Sequence, residues 1–292
     1  MMRSALLMAG LLVTISLKAE ETLDRIRATQ TMKVAYRSGQ APFSTLDQNQ
    51  RVVGYAIDIC SKIVSRVQRE LKLPQLKSEF VAVNGLTRFT ALRERRADIE
   101  CGTTSNNAER RQEFAFTIPY FIDGVKMIVR RDSDISAWTD LRNKSIVTVK
   151  ATAQSELVKL RNYSRVLDMV MHETLYYDDA MAMLVSGKVA ALAGNEAILH
   201  NLMLKIPEPS AYLITGNSLA VKSYAVMLRK SDIQLKAMAD AEMVRLINDG
   251  EIYKIYDKWF TAASGPGAQS LKLPMSYFLR DSFRYPSDKV GE

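Results

Sequence analysis

The chain has 292 residues, enough for one large domain or two smaller ones with their own cores. Apolar residues make up 47% and charged residues 25%, globular values that exclude wholesale disorder. The formal net charge of +8 comes from scattered lysines and arginines, with small clusters such as Arg93-Glu94-Arg95-Arg96 on a solvated helix face. That distribution argues against nucleic-acid binding and suits a small anionic ligand.

In chain order, a basic start at Arg3 is followed by an apolar run over 5–17 and then by polar residues. This is the pattern of a signal peptide over 1–19, with cleavage expected after Ala19, and it is short for a membrane span. No later stretch approaches about 18 apolar residues, so an exported, soluble mature protein is expected. Residues 22–29 read as a short helix ending near Gln30. Thr31-Met32-Lys33-Val34-Ala35-Tyr36 alternates as a strand does, with Arg37 at its end. A turn carrying Pro42 and Phe43 follows, and Asp47-Gln48-Asn49-Gln50 reads as a hairpin tip. Ile59, Ile63, Val67 and Leu71 give the next helix an apolar face, and Pro74 marks its end. Residues 78–83 form another strand, and Asn84-Gly85-Leu86-Thr87-Arg88 opens another helix. Strand and helix alternate, which predicts a mostly parallel sheet flanked by helices, with ligands at the carboxyl ends of the strands.

The most informative run is Asp98 to Arg111, DIECGTTSNNAERR. A strand ends at Cys101, Gly102 turns the backbone, three hydroxyls follow, and Asn106-Asn107 cap a helix that opens with Ala108, Glu109 and Arg110. A helix start with hydroxyls before it and an arginine inside it suits a carboxylate. Arg37 and Arg88 also fall just past strand ends, so three loops aim at one sheet edge. Further on, the charged turn after Val129 marks a break between lobes. Residues 145–149 and 189–193 read as strands, and 178–186 and 232–248 as helices stopped by Gly187 and Gly250. The tail, 261–292, loosens after Ala262 and is expected to wrap the surface or stay mobile. Cys60 and Cys101 could pair in an oxidising compartment, or Cys60 could be a buried thiol; both readings stand. His172 and His200 are the only histidines, and no metal-ligand, nucleophile-elbow or phosphate-loop motif occurs, so no metal, cofactor or catalytic residue is expected.

The chain resembles the periplasmic solute-binding proteins of amino-acid ABC transporters (family 3), and among them the glutamate/aspartate-binding branch. The likeness rests on Arg37 with Ala41-Pro42-Phe43-Ser44, Val52-Val53-Gly54-Tyr55, Glu100 through Arg110, Met227-Leu228-Arg229-Lys230, and Lys258-Trp259-Phe260. It implies an α/β, two-lobed periplasmic binding protein fold (type II) with two hinge strands: lobe 1 over 20–127 and 228–260, and lobe 2 over 128–227. It also implies a periplasmic monomer that captures a small acidic ligand by interlobe closure and delivers it to ABC permease subunits in the inner membrane. Ligand contacts are expected from Arg37, Arg88, Thr103, Ser105 and Arg110 on the first lobe, and from Gln154, Tyr177 and Asn195 on the second. The second lobe departs from the family pattern. Gln154 stands for a threonine, Tyr177 for a histidine, and Asn195 for the aspartate that receives the ligand's α-ammonium. An amide lacks the charge that makes that pairing strong, so a related dicarboxylate is kept beside glutamate and aspartate. Two alternatives share the fold: a cyclohexadienyl-type dehydratase with Glu196 or Glu173 as general acid, and a sensory receptor that does not transport.

Overall fold

The computed structural model describes residues 21–262 and 270–289. The expected signal peptide and the Ser-Gly-Pro-Gly stretch lie outside them. Thirteen strands run in chain order: β1 (Thr31–Arg37), β2 (Thr45–Leu46), β3 (Val52–Val53), β4 (Lys77–Val83), β5 (Ile99–Cys101), β6 (Phe114–Phe116), β7 (Phe121–Arg130), β8 (Ser145–Val149), β9 (Val170–Thr174), β10 (Ala191–Asn195), β11 (Tyr212–Thr215), β12 (Val221–Tyr224) and β13 (Met227–Arg229).

They build two main sheets. The first has the order β4-β1-β5-β13-β6, with β1 parallel to both β4 and β5, and β13 antiparallel to its neighbours. The second has the order β11-β7-β10-β8-β9, with β10, β8 and β9 parallel. The helix Tyr55–Glu70 buries Ile59, Cys60, Ile63 and Val67 on one face and packs against the helix Ile233–Asn248. This is the expected α/β, two-lobed architecture, and the chain crosses between lobes twice.

The crossings are the antiparallel pair β7 and β12. Phe121–Gly124 pairs with Val221–Tyr224, and from Val125 onward β7 belongs to the second sheet, opposite β10 and β11. The change of sheet therefore falls at Val125, earlier than the boundary expected after 127. Met227, assigned by the sequence reading to lobe 2, lies in the first sheet opposite Glu100 and Phe116. A single ten-residue strand shared by two sheets has no linker to mark the exchange.

The motifs away from the cleft have structural work. Phe43, Tyr55 and Phe260, from three separate motifs, meet around Phe121 at ring-centroid distances of 4.7, 5.9 and 4.9 Å. Such contacts add to the burial of large rings, and they clamp the first lobe onto the start of the hinge. Buried Arg229 donates to the carbonyls of Leu92 (3.0 Å) and Ala97 (2.6 Å) and pairs with Asp232 (2.8 Å). The Cys60 and Cys101 sulfurs form a disulfide, tying the helix Tyr55–Glu70 to the end of β5. The tail forms the helix Tyr277–Arg284, which buries Leu279 and Phe283 and lies against the hinge strand β7.

Candidate ligand-binding site

On the first lobe, β1 delivers Arg37 and β5 delivers the run that begins at Glu100. The Arg37 backbone N–H donates to Ser44 Oγ (2.9 Å). The Gln40 amide, oriented to satisfy both neighbours, accepts from Arg37 Nη1 and Nη2 (2.9 and 2.8 Å) and donates to Thr103 Oγ1 (3.0 Å). Arg88 lies in the first turn of the helix Thr87–Arg93. Its Nη1 donates to the Gly85 carbonyl (2.6 Å), and its Nη2 crosses to the Ala151 carbonyl of the second lobe (2.9 Å). The short helix Ala108–Arg111 is capped as expected: Asn107 Oδ1 accepts from the Arg110 N–H (2.9 Å). Arg110 Nη1 returns to the Ser105 carbonyl (3.0 Å).

Three features here were not read from the sequence. Phe89 carries both Arg88 and Arg110 on its ring, with guanidinium carbons 4.2 and 5.4 Å from the centroid. The Tyr120 hydroxyl donates to the Gly102 carbonyl and fixes the turn after β5. Glu100 is fully buried among the arginines. A side chain at Gly102 would meet Glu100 Oε1 at 2.5 Å and Arg37 Cδ at 2.9 Å, so glycine is needed for space. Burial pushes the Glu100 carboxyl up, while Arg88, Arg37 and Arg110 oppose that shift. Burial also lowers Arg37 and Arg110 and takes Arg88 well below the ordinary arginine range, with the neighbouring guanidiniums lowering Arg88 further. Arginine stays charged through such shifts. The cluster thus sets three guanidiniums around one buried carboxylate and leaves a surplus of positive charge there.

On the second lobe, Thr152 caps the helix Ala153–Arg165 by accepting from the Ser155 N–H (3.1 Å). Gln154 sits in the first turn, buried, and its amide nitrogen donates to Asn195 Oδ1 at the end of β10. Tyr177 opens the helix Tyr177–Val185 and lays its ring on Gly194, where an added side chain would come within 2.7 Å of the ring. Burial pushes its phenol up to about 12, so it stays a neutral hydrogen-bonding group. The structure therefore gathers Gln154, Tyr177 and Asn195 at one place. It gathers Arg37, Arg88, Thr103 and Arg110 at another, with Ser105 present through its carbonyl. The walls meet: the Lys150 carbonyl would lie 2.4 Å from a side chain at Gly85, and a recess of about 430 Å³ between the lobes is lined by Phe89, Arg110, Ala151 and Thr152.

The two glutamates of the dehydratase alternative are engaged elsewhere. Glu196 pairs with Lys126 (2.7 Å) and stands near Ser218 across Gly124. Glu173 accepts from Ser155 Oγ (2.6 Å) and pairs with Lys159 (3.1 Å), and those contacts hold its carboxyl below the usual range. Among the described residues no group of three or more His, Cys, Asp or Glu is placed to hold a metal ion.

Residues 32–262 match the family described as bacterial extracellular solute-binding proteins, family 3. Over 272 residues the chain is 32% identical to the L-glutamate/L-aspartate-binding protein of Pseudomonas aeruginosa, covering 93% of this chain and 90% of the relative. It is 30% identical to the glutamate/aspartate import solute-binding protein of Escherichia coli, with the same coverage. Among solved structures, an ancestral arginine-binding protein bound to arginine superposes with a TM-score of 0.72 at 23% identity, over 79% of this chain and 98% of that one. The ancestral amino acid-binding protein AncCDT-1, a precursor of cyclohexadienyl dehydratase, does so with a TM-score of 0.69 at 21% identity, over 82% and 93%. Strand order, crossings and sequence match agree: the chain belongs to family 3 of the bacterial extracellular solute-binding proteins.

Proposed function

We propose that this protein is the binding component of an amino-acid ABC transporter. It captures glutamate, aspartate or a closely related dicarboxylate in the periplasm and presents it to permease subunits in the inner membrane. The observation that carries the reading is the cluster of buried Arg37 and Arg88 with half-buried Arg110 around the buried carboxylate of Glu100, whose surplus of positive charge matches a dicarboxylate. Charge-assisted hydrogen bonds contribute about 1.5–3 kcal/mol each, so a few of them reach the roughly −8 kcal/mol of micromolar binding. The ligand meets the charged wall first, and closure then adds Gln154, Tyr177 and Asn195. The glutamate/aspartate-binding relatives support the same ligand class. They are binding proteins, which speaks against the dehydratase alternative.

Calorimetry on the mature chain with L-glutamate, L-aspartate, succinate, L-arginine and L-leucine tests this. Heat is expected with the acidic amino acids and none with arginine or leucine. Tight succinate binding without glutamate heat would replace the amino-acid reading by a dicarboxylate one, and heat from arginine alone would end both. Prephenate turnover followed by ultraviolet absorbance is expected to be nil.

A further inference from the structure

We infer that Asp123, on the hinge strand β7, supplies the negative charge that receives the ligand's α-ammonium in place of the neutral Asn195. This rests on the amino-acid reading above and deepens it. Asn195 lies opposite Val125 in the antiparallel pair of β10 and β7, so the two side chains leave the sheet on one face. Asp123, two residues from Val125, leaves from that same face one step nearer the first lobe. Asn195 turns there toward Gln154, which identifies the face as the one lining the cleft. Tyr224, opposite Phe121, lies on it as well. Gly124, on the other face, looks toward Ser218 and Glu196.

Asp123 is only 7% exposed, yet it forms no ion pair among the described residues. Its oxygens accept from two backbone N–H groups, Gly124 (2.8 Å) and Ala197 (3.2 Å). Lys126 is committed to Glu196, and Lys222, opposite Asp123 in the ladder, forms no ion pair with it among the described residues. Asp123 acts electrostatically on the hydroxyls of Tyr177 and Tyr224, and Tyr177 feels Arg37 as well. Tyr177 therefore feels both a guanidinium and a carboxylate, the two charges a zwitterion needs. A buried charge without a partner is costly, and an ammonium bound beside Tyr177 would complete it. Glu100, the other buried carboxylate, feels three arginines, whereas the one cation that Asp123 feels among the described residues is Lys126.

The test is calorimetry of the mature chain and of Asp123→Asn with L-glutamate and with glutarate, the same dicarboxylate without the amine. Asparagine can still accept from the Ala197 N–H, and a thermal melt checks that the variant folds. Asp123→Asn is expected to weaken glutamate binding roughly a hundredfold and glutarate binding less than about threefold. Adding Asn195→Asp to Asp123→Asn is expected to restore most of the glutamate affinity. Equal losses for both ligands, or no loss for either, would reduce Asp123 to a cap of the following helix. A wild-type chain that binds glutarate as tightly as glutamate would remove the ammonium role and leave the acidic-ligand reading standing. A wild-type chain that binds neither would overturn the function itself.

Discussion

The first lobe brings three guanidiniums and one carboxylate to the cleft, whereas the second brings two amides, a phenol and a capped helix start. The charged wall is also the braced one. The disulfide holds β5, Tyr120 holds the turn after it, and Gln40 and Phe89 hold the arginines. The neutral wall is joined to the rest through β7 and β12. The difference suits a two-step capture. In the proposed function, fixed charges would bind the anion in the open form, and the second lobe would then add weaker, directional bonds that shift the population toward closure.

The largest effects should fall on the braced lobe and the hinge. Replacing Cys60 and Cys101 together by alanine removes a crosslink spanning 41 residues, worth about 4 kcal/mol by loop-closure entropy. Denaturant unfolding should show that loss, and an unchanged midpoint would mean that the crosslink does not brace the site. At the hinge, burial pushes the Asp123 carboxyl up to about 7 from the usual 3.8, against the two N–H bonds and Lys126 that lower it, while Glu196 raises it further. Below 3.8 the group is protonated whether the chain is folded or unfolded, so it costs nothing. Above about 7 it is ionised in both states, and the folded protein bears the full desolvation cost, at most on the order of 4 kcal/mol. Ligand-free stability should therefore fall between about pH 4 and 7, and Asp123→Asn should flatten that slope.

Next come the arginines. Arg37→Ala and Arg110→Ala should each weaken acidic-ligand binding by roughly ten- to a hundredfold, matching the loss of one charge-assisted bond of about 1.5–3 kcal/mol. Arg110→Lys should recover only part of the loss, because an ammonium keeps the charge and gives up the planar fork. Calorimetry reads both. Arginine variants that bind like the wild type would put the ligand's charge partners on the other wall.

The arginine wall was largely legible in the sequence because its signals are local. Strand alternation over 31–36, the Asn107 cap and arginines just beyond strand ends are each set by residues only a few positions apart. What escaped depends on residues far apart in the chain. The Cys60–Cys101 pairing needs β5 to pack on a particular helix, and nothing in the spacing dictates that. Glu100 lies in an apolar strand, where a carboxylate makes sense only once three arginines surround it. β10 was expected over 189–193 and runs Ala191–Asn195, because small apolar residues give no cue to where pairing begins. Asp123 was overlooked for a similar reason: it becomes a cleft residue only through the register of β7 against β10.

Closure itself can be broken at one position. Gly85 approaches the Lys150 carbonyl so closely that Gly85→Ala would put a methyl group 2.4 Å from that backbone atom, which no rotamer change relieves. The variant should keep its fold and its charged wall and still fail to shut fully. An affinity loss of about tenfold, near 1.4 kcal/mol, should accompany a larger ligand-bound radius of gyration by solution scattering. A wild-type radius with wild-type affinity would mean that the lobes meet elsewhere when ligand is bound.

The smallest effect belongs to the neutral wall and is the most discriminating. Gln154→Ala removes the bond to Asn195 and one side chain from the closing lobe, without touching any charge. Neutral hydrogen bonds contribute about 0.5–1.5 kcal/mol, so affinity should fall only about two- to tenfold. Because the second lobe engages after docking, the loss should lie in faster dissociation, with the association rate unchanged in stopped-flow measurements. Arg110→Ala should lower the association rate as well, since its charge acts on the approaching anion. If Gln154→Ala cost as much as Arg110→Ala and slowed association equally, the two walls would be equal partners, and charge first with closure second would not describe how this cleft works.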